Sequence, residues 1–504
     1  MRNVKTNDVH LFLPFILAGL LAGCTVGPDF RRPTLPGVAT YVVDPLAEQT
    51  ASAPTTLGET QRFVKDGWVN PHWWKELGSA KLDALIDEAL QANPTLTSAQ
   101  ASLRQAQELY SAQSGSTLYP QVDADFGGQR QRFNPASMGQ IGDAREFTLY
   151  NASVGVQYNF DLFGGNRRAL EALAAQVDYQ RYQLAGARLT LVGNIVTSAI
   201  TQVRLAMQIQ ATTAILQSQE EQLGLTRERV RLGQASPDDV LALQPQVEQT
   251  RAGIPLLRKQ LQQNEHLLAV LTGRAPGAES LPSFSLEEFT LPAELPLVVP
   301  SELVRTRPDI QAAEALLHKA NAEYGVEIAK LYPQLNLSAN LGSQALTMAT
   351  LFGSGSAVWS LLGQLTQPLL NPGLPAKKRA ALAAFDAAAA NYQTVVLESL
   401  RTVADVLSAL DNDAQRLAAL FTADAAARNF LDSMQRRYNL GAASYVELLI
   451  AQQQSQQTRI NLIEAQAQRL VICAAFYQAM GGGFLRNSAA IAASYPLKAH
   501  EMEN

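Results

Sequence analysis

The chain has 504 residues, enough for about two to four domains, and 47% of them are hydrophobic while only 7% are aromatic. That supplies a core but not a protein made of many membrane-spanning helices. With 40 basic against 45 acidic residues, a net charge of −5, there is no basic footprint for nucleic acid; the two cysteines, Cys24 and Cys473, allow one disulfide at most.

Arg2 and Lys5 precede a short apolar run, Leu11 to Leu21, and "LAGC" follows at Leu21 to Cys24. A run this short reads as a signal peptide (1–23) rather than a membrane span. Small residues directly before a cysteine match a bacterial lipobox, so Cys24 is the expected lipidated N-terminus of an arm over 24–66. The other reading is an ordinary signal peptide with a chance cysteine. Lipoproteins held at the inner membrane often carry Asp after that cysteine; Thr25 there points to the outer membrane. The Pro/Thr/Ala-rich composition up to Thr60 predicts an extended arm.

From Trp73 to Gln107, Leu82, Leu85, Ile86 and Leu90 share one helical face. "STLYPQVDADFG" (Ser116 to Gly127) returns as "AKLYPQLNLSANLG" (Ala329 to Gly342), which marks two internal repeats, 67–272 and 301–483. A Pro-rich, non-periodic linker, 273–300, separates them, and a tail occupies 484–504. Each repeat contains a predicted β-hairpin, about 118–162 and about 331–370. Tyr150, Ala152, Val154, Val156, Tyr158 and Phe160 alternate with Asn151, Ser153, Gly155, Gln157 and Asn159. Val122, Ala124 and Phe126 alternate with Gln121, Asp123 and Asp125, and Leu335, Leu337, Ala339 and Leu341 with Gln334, Asn336, Ser338 and Asn340. Trp359, Leu361 and Leu365 against Gln364 and Thr366 form the noisiest segment. Period-two alternation of this length is the pattern of a transmembrane strand with lipid on one side and water on the other; a half-exposed strand of a soluble sheet gives the same signal.

Long proline-free stretches follow each hairpin, Arg167 to Ser236 and Ala376 to Ser494, rich in Ala, Gln, Leu and Arg. They predict helices near 100 Å long at about 1.5 Å per residue, packed as a coiled coil with two wet sides. Within them one short stretch is written twice, "RLGQASPDDVLALQ" (Arg231 to Gln244) and "NLGAASYVELLIAQ" (Asn439 to Gln452). Gly233 and Gly441 suit the left-handed residue that closes a helix. Ser236 and Ser444 suit the N-cap of a return helix, with Asp239 and Glu447 completing capping boxes. The chain therefore makes two helical hairpins, with tips at about 231–239 and about 439–447. Pro245 and Pro255 predict a bend in the first return helix.

Four strands cannot close a membrane barrel, and lipid tolerates no open sheet edge. The chain must oligomerise; three copies would supply about twelve strands.

The five histidines are scattered without metal-ligand spacing. "GSGS" at Gly353 to Ser356 lacks the Lys-Ser/Thr of a phosphate loop and belongs in a turn between strands. No catalytic arrangement can be assigned, so neither an enzyme nor a cofactor is expected. Cys473, in "LVICAAF", reads as a small buried hydrophobe.

Taken together, "LAGC", "WWKELGSAKLDALIDEALQANP", "LVRTRPDIQAAEALL" (Leu303 to Leu317), the two "LYPQ" starts and "RRYNLGAASYVELLIAQ" (Arg436 to Gln452) resemble the TolC-like outer membrane factor family, in its lipoprotein branch. The resemblance implies an α+β membrane protein. A homotrimer would form a twelve-stranded barrel in the outer membrane, a twelve-helix periplasmic tube and an equatorial collar. It implies docking on a periplasmic adaptor and supply by an inner-membrane pump of the RND type, for export of small molecules such as drugs. The tips would close the tube and meet the adaptor through Gly233, Ala235, Gly441 and Ala443. Asp239 and Glu447 would ring the closed entrance, helped by Tyr438, unless the two acids only cap their helices. Some relatives carry an acid where this chain has Ile450. The alternatives are a duct for type I protein secretion and a pore-less periplasmic coiled-coil lipoprotein.

Overall fold

The structure, a computed structural model, describes residues 25–483 except 35–36, 39, 44–46, 66, 140 and 279–280. The predicted signal peptide, Cys24 and the tail 484–504 lie outside the described residues. In chain order the elements are β1 (Arg62–Lys65), α1 (Ala80–Ala92), α2 (Pro94–Leu118), β2 (Gln121–Phe133), β3 (Arg145–Phe160), α3 (Gly165–Arg231) and α4 (Pro237–Leu271). They continue with β4 (Glu294–Leu297), α5 (Pro300–Thr306), α6 (Pro308–Ala329), β5 (Gln334–Ala345), β6 (Ala357–Thr366), α7 (Gly373–Asn439) and α8 (Tyr445–Ala479). The chain divides into two compact units, one of residues up to 33, 102–180 and 313–392, the other of 34–101, 181–312 and 393 onward.

The first unit holds one four-stranded antiparallel sheet in the order β2-β3-β5-β6. The sequence predicts two hairpins; the structure also pairs β3 with β5, from Tyr150 opposite Ala345 to Phe160 opposite Leu335. Its register carries each face across all four strands. Ala124, Val154, Leu341 and Trp359 stand in one row, and Asp123, Gly155, Asn340 and Ser360 in the row beside it on the other face. Side chains of successive strand residues point to opposite faces, so the first row lies on an apolar face and the second on a polar one. The apolar face is uncovered in the single chain: Trp359 is 78% and Leu361 72% exposed. Water disfavours so large an apolar surface, whereas hydrocarbon accepts it. "GSGS" lies in the turn between β5 and β6.

The same unit clamps the residues that follow Cys24. Thr25 lies against Gly164, between β3 and α3, and the Val26 N–H donates to Phe163 O at 3.1 Å. The buried Arg168 guanidinium donates to Asp29 (2.7 Å), Glu171 (2.7 Å) and Gly27 O (3.3 Å). Phe30 stacks on His318, which pairs with Glu171. Three charged side chains and one stacked ring thus hold the start of the arm to α3 and α6.

In the second unit the arm and the linker are packed, not free. Leu57 and Gln61 of the arm and Phe284, Leu286, Phe289 and Leu295 of the linker are buried, and β1 pairs in parallel with β4. A stripe along α8 receives the arm. Gln466 donates to Thr55, Arg469 to Glu59 O and Leu410 O, and Gln61 to the Cys473 sulfur at 3.2 Å. Tyr477 bonds Glu76 and stacks on Trp73. These residues recur every three or four positions, so they share one helix face. Cys473 is therefore buried, as its context predicts, but it also takes part in a polar contact. Burial pushes its thiol up to about 11, which keeps it protonated and unreactive.

The helical run from Trp73 divides at Gly78, left-handed after the turn Trp73–Leu77, and again at Asn93. Asn93 is extended, and its side chain accepts from the N–H groups of Thr95 and Leu96, while Pro94 starts α2 without a donor of its own. α3 and α7 each have 67 residues, and α4 and α8 each have 35. α4 runs on as one helix through Pro245 and Pro255. Each proline there removes one backbone hydrogen bond.

Candidate functional site

The two helical turns, between α3 and α4 and between α7 and α8, are built alike. Gly233 has φ 75° and Gly441 φ 72°, a region open to glycine and strained for other residues. The N–H of Gln234 donates to Arg229 O and that of Ala442 to Arg437 O, both at 2.8 Å. These bonds cap carbonyls that the ending helices leave unpaired. Ser236 and Ser444 then open the return helices in extended conformation. The Ser236 hydroxyl accepts from the Asp238 N–H, and the Ser236 N–H donates to Asp239 at 3.2 Å. The Ser444 hydroxyl accepts from the Glu447 N–H, and the Ser444 N–H donates to Glu447 at 2.6 Å. Both capping boxes expected from the sequence are present. The Ser444 N–H, then its hydroxyl, and more weakly Arg437, hold the Glu447 carboxyl below the usual glutamate range.

No atom lies within 4 Å of where a Cβ would stand on Gly233 or Gly441, so both turns present open backbone. Ala443 differs: it packs against the cluster of Met434, Leu448 and Ala451, and Ala235 is half-buried. The apolar groups that do face outward are Leu232 and Leu241 on the first hairpin and Leu440, Val446 and Ile450 on the second.

Tyr438 joins the hairpins. It packs against the cluster of Leu223, Leu243, Val247 and Tyr445, meets the Tyr445 ring at 5.9 Å and 62°, and receives the Arg229 guanidinium 5.2 Å from its ring centre. Tyr445 is buried and its hydroxyl has no hydrogen-bond partner among the described residues. Burial, reinforced by Tyr438 and Asp239 nearby, pushes that phenol far above its ordinary value. Gln222 and Gln452 form another bond between the hairpins. Sequence reasoning picks out Tyr438, Asp239 and Glu447, and misses Arg229, Tyr445 and the glutamine pair. The one local signal for Tyr445 is a large aromatic in the first turn of a helix whose twin has Pro237 there.

A cavity of about 410 Å³ with a mixed lining lies between α3, α7 and α8, with Ile215, Leu431 and Ile463 as well as Gln219, Asp424 and Arg459 in its wall. The Asp424 side chain is fully buried and pairs with Arg428 at 2.8 Å. Polar groups thus enter the helix packing.

An antiparallel sheet with one lipid-compatible face, in a chain that also forms two long capped helical hairpins, defines a class: outer-membrane channel proteins with a helical extension. The pattern of the outer membrane efflux proteins matches residues 85–274 and 299–482, and the chain belongs to that family. It is 30% identical over 475 residues to the probable efflux pump outer membrane protein TtgC of Pseudomonas putida, covering 93% of this chain and 94% of that one. It is 28% identical to the outer membrane protein OprJ of Pseudomonas aeruginosa, over 93% of this chain and 95% of the relative. The solved outer-membrane channel OprN superposes with a TM-score of 0.81 at 26% identity, over 91% of this chain and 99% of that one.

Proposed function

We propose that the protein is the outer-membrane exit duct of a tripartite efflux pump, passing small molecules such as drugs or solvents from an inner-membrane RND-type transporter to the outside. The observation that carries this reading is the open sheet. β2 and β6 are its edges, one of its faces is apolar, and lipid does not accept unpaired strand edges. Further copies of the chain must continue the sheet. Three copies give twelve strands, within the range of such barrels, and twelve helices for a periplasmic tube. The equal lengths of α3 and α7 and of α4 and α8 support two structural repeats, here assigned to 67–272 and 301–483 around the linker 273–300. The names of the relatives, an efflux pump component and another outer membrane protein, support the cargo class. The duct itself performs no catalysis.

Cys24 carries the lipid in this reading. Thr25, the residue that follows it, lies beside Gly164 just past the end of β3, on the side where an acyl chain can enter the inner leaflet in this reading. The turns at 231–239 and 439–447 meet the adaptor, through the open backbone at Gly233 and Gly441, with Ala235 and Ala443 beneath and the exposed leucines around them. Asp239, Glu447 and Tyr438 hold the closed entrance.

The test is covalent. Single cysteines placed along β2 are combined with single cysteines along β6 in the assembled outer membrane. Oxidation should link chains into a closed trimer that still complements efflux. Links that stop at dimers, or a working channel that never links β2 to β6 of another copy, would refute the barrel.

A further inference from the structure

We propose that Arg130 and Arg132 bind the phosphate groups of a glycolipid headgroup in the outer leaflet, which makes β2 a specific lipid contact as well as a wall. The inference rests on the membrane-barrel reading above. Val122, Ala124 and Phe126 lie on the apolar face of β2, and the same alternation continues through Gly128 to Arg130 and Arg132. The register confirms the face: Gly128 stands opposite Tyr150, Arg130 opposite Thr148 and Arg132 opposite Glu146. Charged side chains therefore follow directly on the row that faces hydrocarbon.

Their height fits the headgroups. From Val122 to Arg130 the strand runs roughly 27 Å at about 3.4 Å per residue. Tilted by about 40°, it rises about 20 Å, and Arg132 lies about 5 Å higher, so Arg130 comes near and Arg132 reaches the edge of an apolar band about 25 Å tall counted from Val122. The end is also fixed. α2 leads into the start of β2 and α3 follows the end of β3, so the turn 134–144 marks the far side from the helices. In this family the helices are periplasmic, which places Arg130 and Arg132 at the outer surface.

The charge is unbalanced. Glu146 is the acid on this stretch of the face, and it pairs with Arg130 at 3.3 Å in an exposed contact. Exposed pairs contribute little and can be exchanged. Two guanidiniums against one carboxylate leave net positive charge, and a guanidinium fork matches phosphate oxygens bidentately. Residues two apart on one face are about 7 Å apart, close enough to engage one headgroup. Long arginine stems can also lie on acyl chains while their heads reach the phosphates.

The purified oligomer in neutral detergent provides the test, with loss of the SDS-resistant band on heating as readout. Bis-phosphorylated lipid A should raise the midpoint of the wild-type oligomer, and its enzymatically dephosphorylated form should not. Inorganic phosphate at the same concentration should leave it unmoved. Arg130→Ala/Arg132→Ala should abolish the rise, Arg130→Lys/Arg132→Lys should keep part of it, and Arg145→Ala, on the opposite face, should keep all of it. Equal response to both lipid forms, a rise with inorganic phosphate alone, or an undiminished rise in the alanine pair would overturn the proposal. If the alanine pair does not assemble, the contrast between the two lipid forms on the wild type decides. An absent SDS-resistant oligomer in the wild type would instead count against the barrel reading itself.

Discussion

Tyr445 shows how much a single hydroxyl decides at the junction of the hairpins. Its ring is wanted there: it fills the space between Leu223, Leu243, Val247 and Tyr438. Its hydroxyl is not, since it is buried without a partner, and such a group costs about 1–3 kcal/mol. Tyr445→Phe should therefore leave thermal unfolding of the oligomer unchanged or raise its midpoint. Tyr438→Ala should lower it, because it removes a ring shared by two clusters and the seat of the Arg229 guanidinium, an interaction of about 0.5–1 kcal/mol at an exposed site. A lower midpoint in Tyr445→Phe would show that the hydroxyl has a partner in the assembled tube. The phenol bears on gating as well. Because burial keeps it protonated, Tyr445 adds no charge beside Asp239.

At the scale of elements, the turns separate what glycine does from what leucine does. Gly233 and Gly441 are needed for their positive φ whatever approaches them, so a bulky residue there strains the turn before it tests any partner. Leu440 is 83% exposed and Leu232 54%, and neither is confined by the capping geometry. Leu232→Ser with Leu440→Ser should leave oligomer abundance unchanged and lower efflux complementation and adaptor pull-down sharply; unimpaired capture of the adaptor by that pair would refute docking through the leucines. These turns are legible in the sequence because their chemistry is local: a glycine, a serine three residues on and an acid three beyond that. The strands are legible because lipid on one face and water on the other impose alternation residue by residue. The β3–β5 pairing is not, since alternation says which way side chains point but not which strand lies beside which. The packed arm is hidden for a related reason. Its composition is that of a loop, and the groups that order it, Gln466, Arg469 and Cys473, are spread along a helix at the other end of the chain.

For the whole molecule, the acids at the turns acquire a meaning that one chain does not contain. Within a chain, Asp239 and Glu447 are caps, and hydrogen bonds from Ser444 favour the charged form of Glu447. In the trimer proposed above, six such carboxylates would converge around the threefold axis, where like charges at close range repel and disfavour one another's charged form. A closed entrance must offset that repulsion, and bound cations do so without breaking the caps. Purified trimers in a planar bilayer should therefore conduct weakly, and less still when divalent cations are added on the side of the turns. Glu447→Gln should weaken the block clearly and Asp239→Asn more mildly, because the Ser444 hydrogen bonds favour the charged form of Glu447. The pH dependence has a definite sign. Glu447 is depressed in the folded chain, so its charged form, and the stability its cap contributes, are fully present above the ordinary glutamate range and lost as pH falls through the lowered value. In the assembled ring the neighbouring carboxylates work against that depression; the cation block should fade as pH falls in the wild type and fade less in Glu447→Gln. A block of undiminished strength in the Asp239→Asn/Glu447→Gln channel would show that these carboxylates only cap their helices and that the cations bind elsewhere.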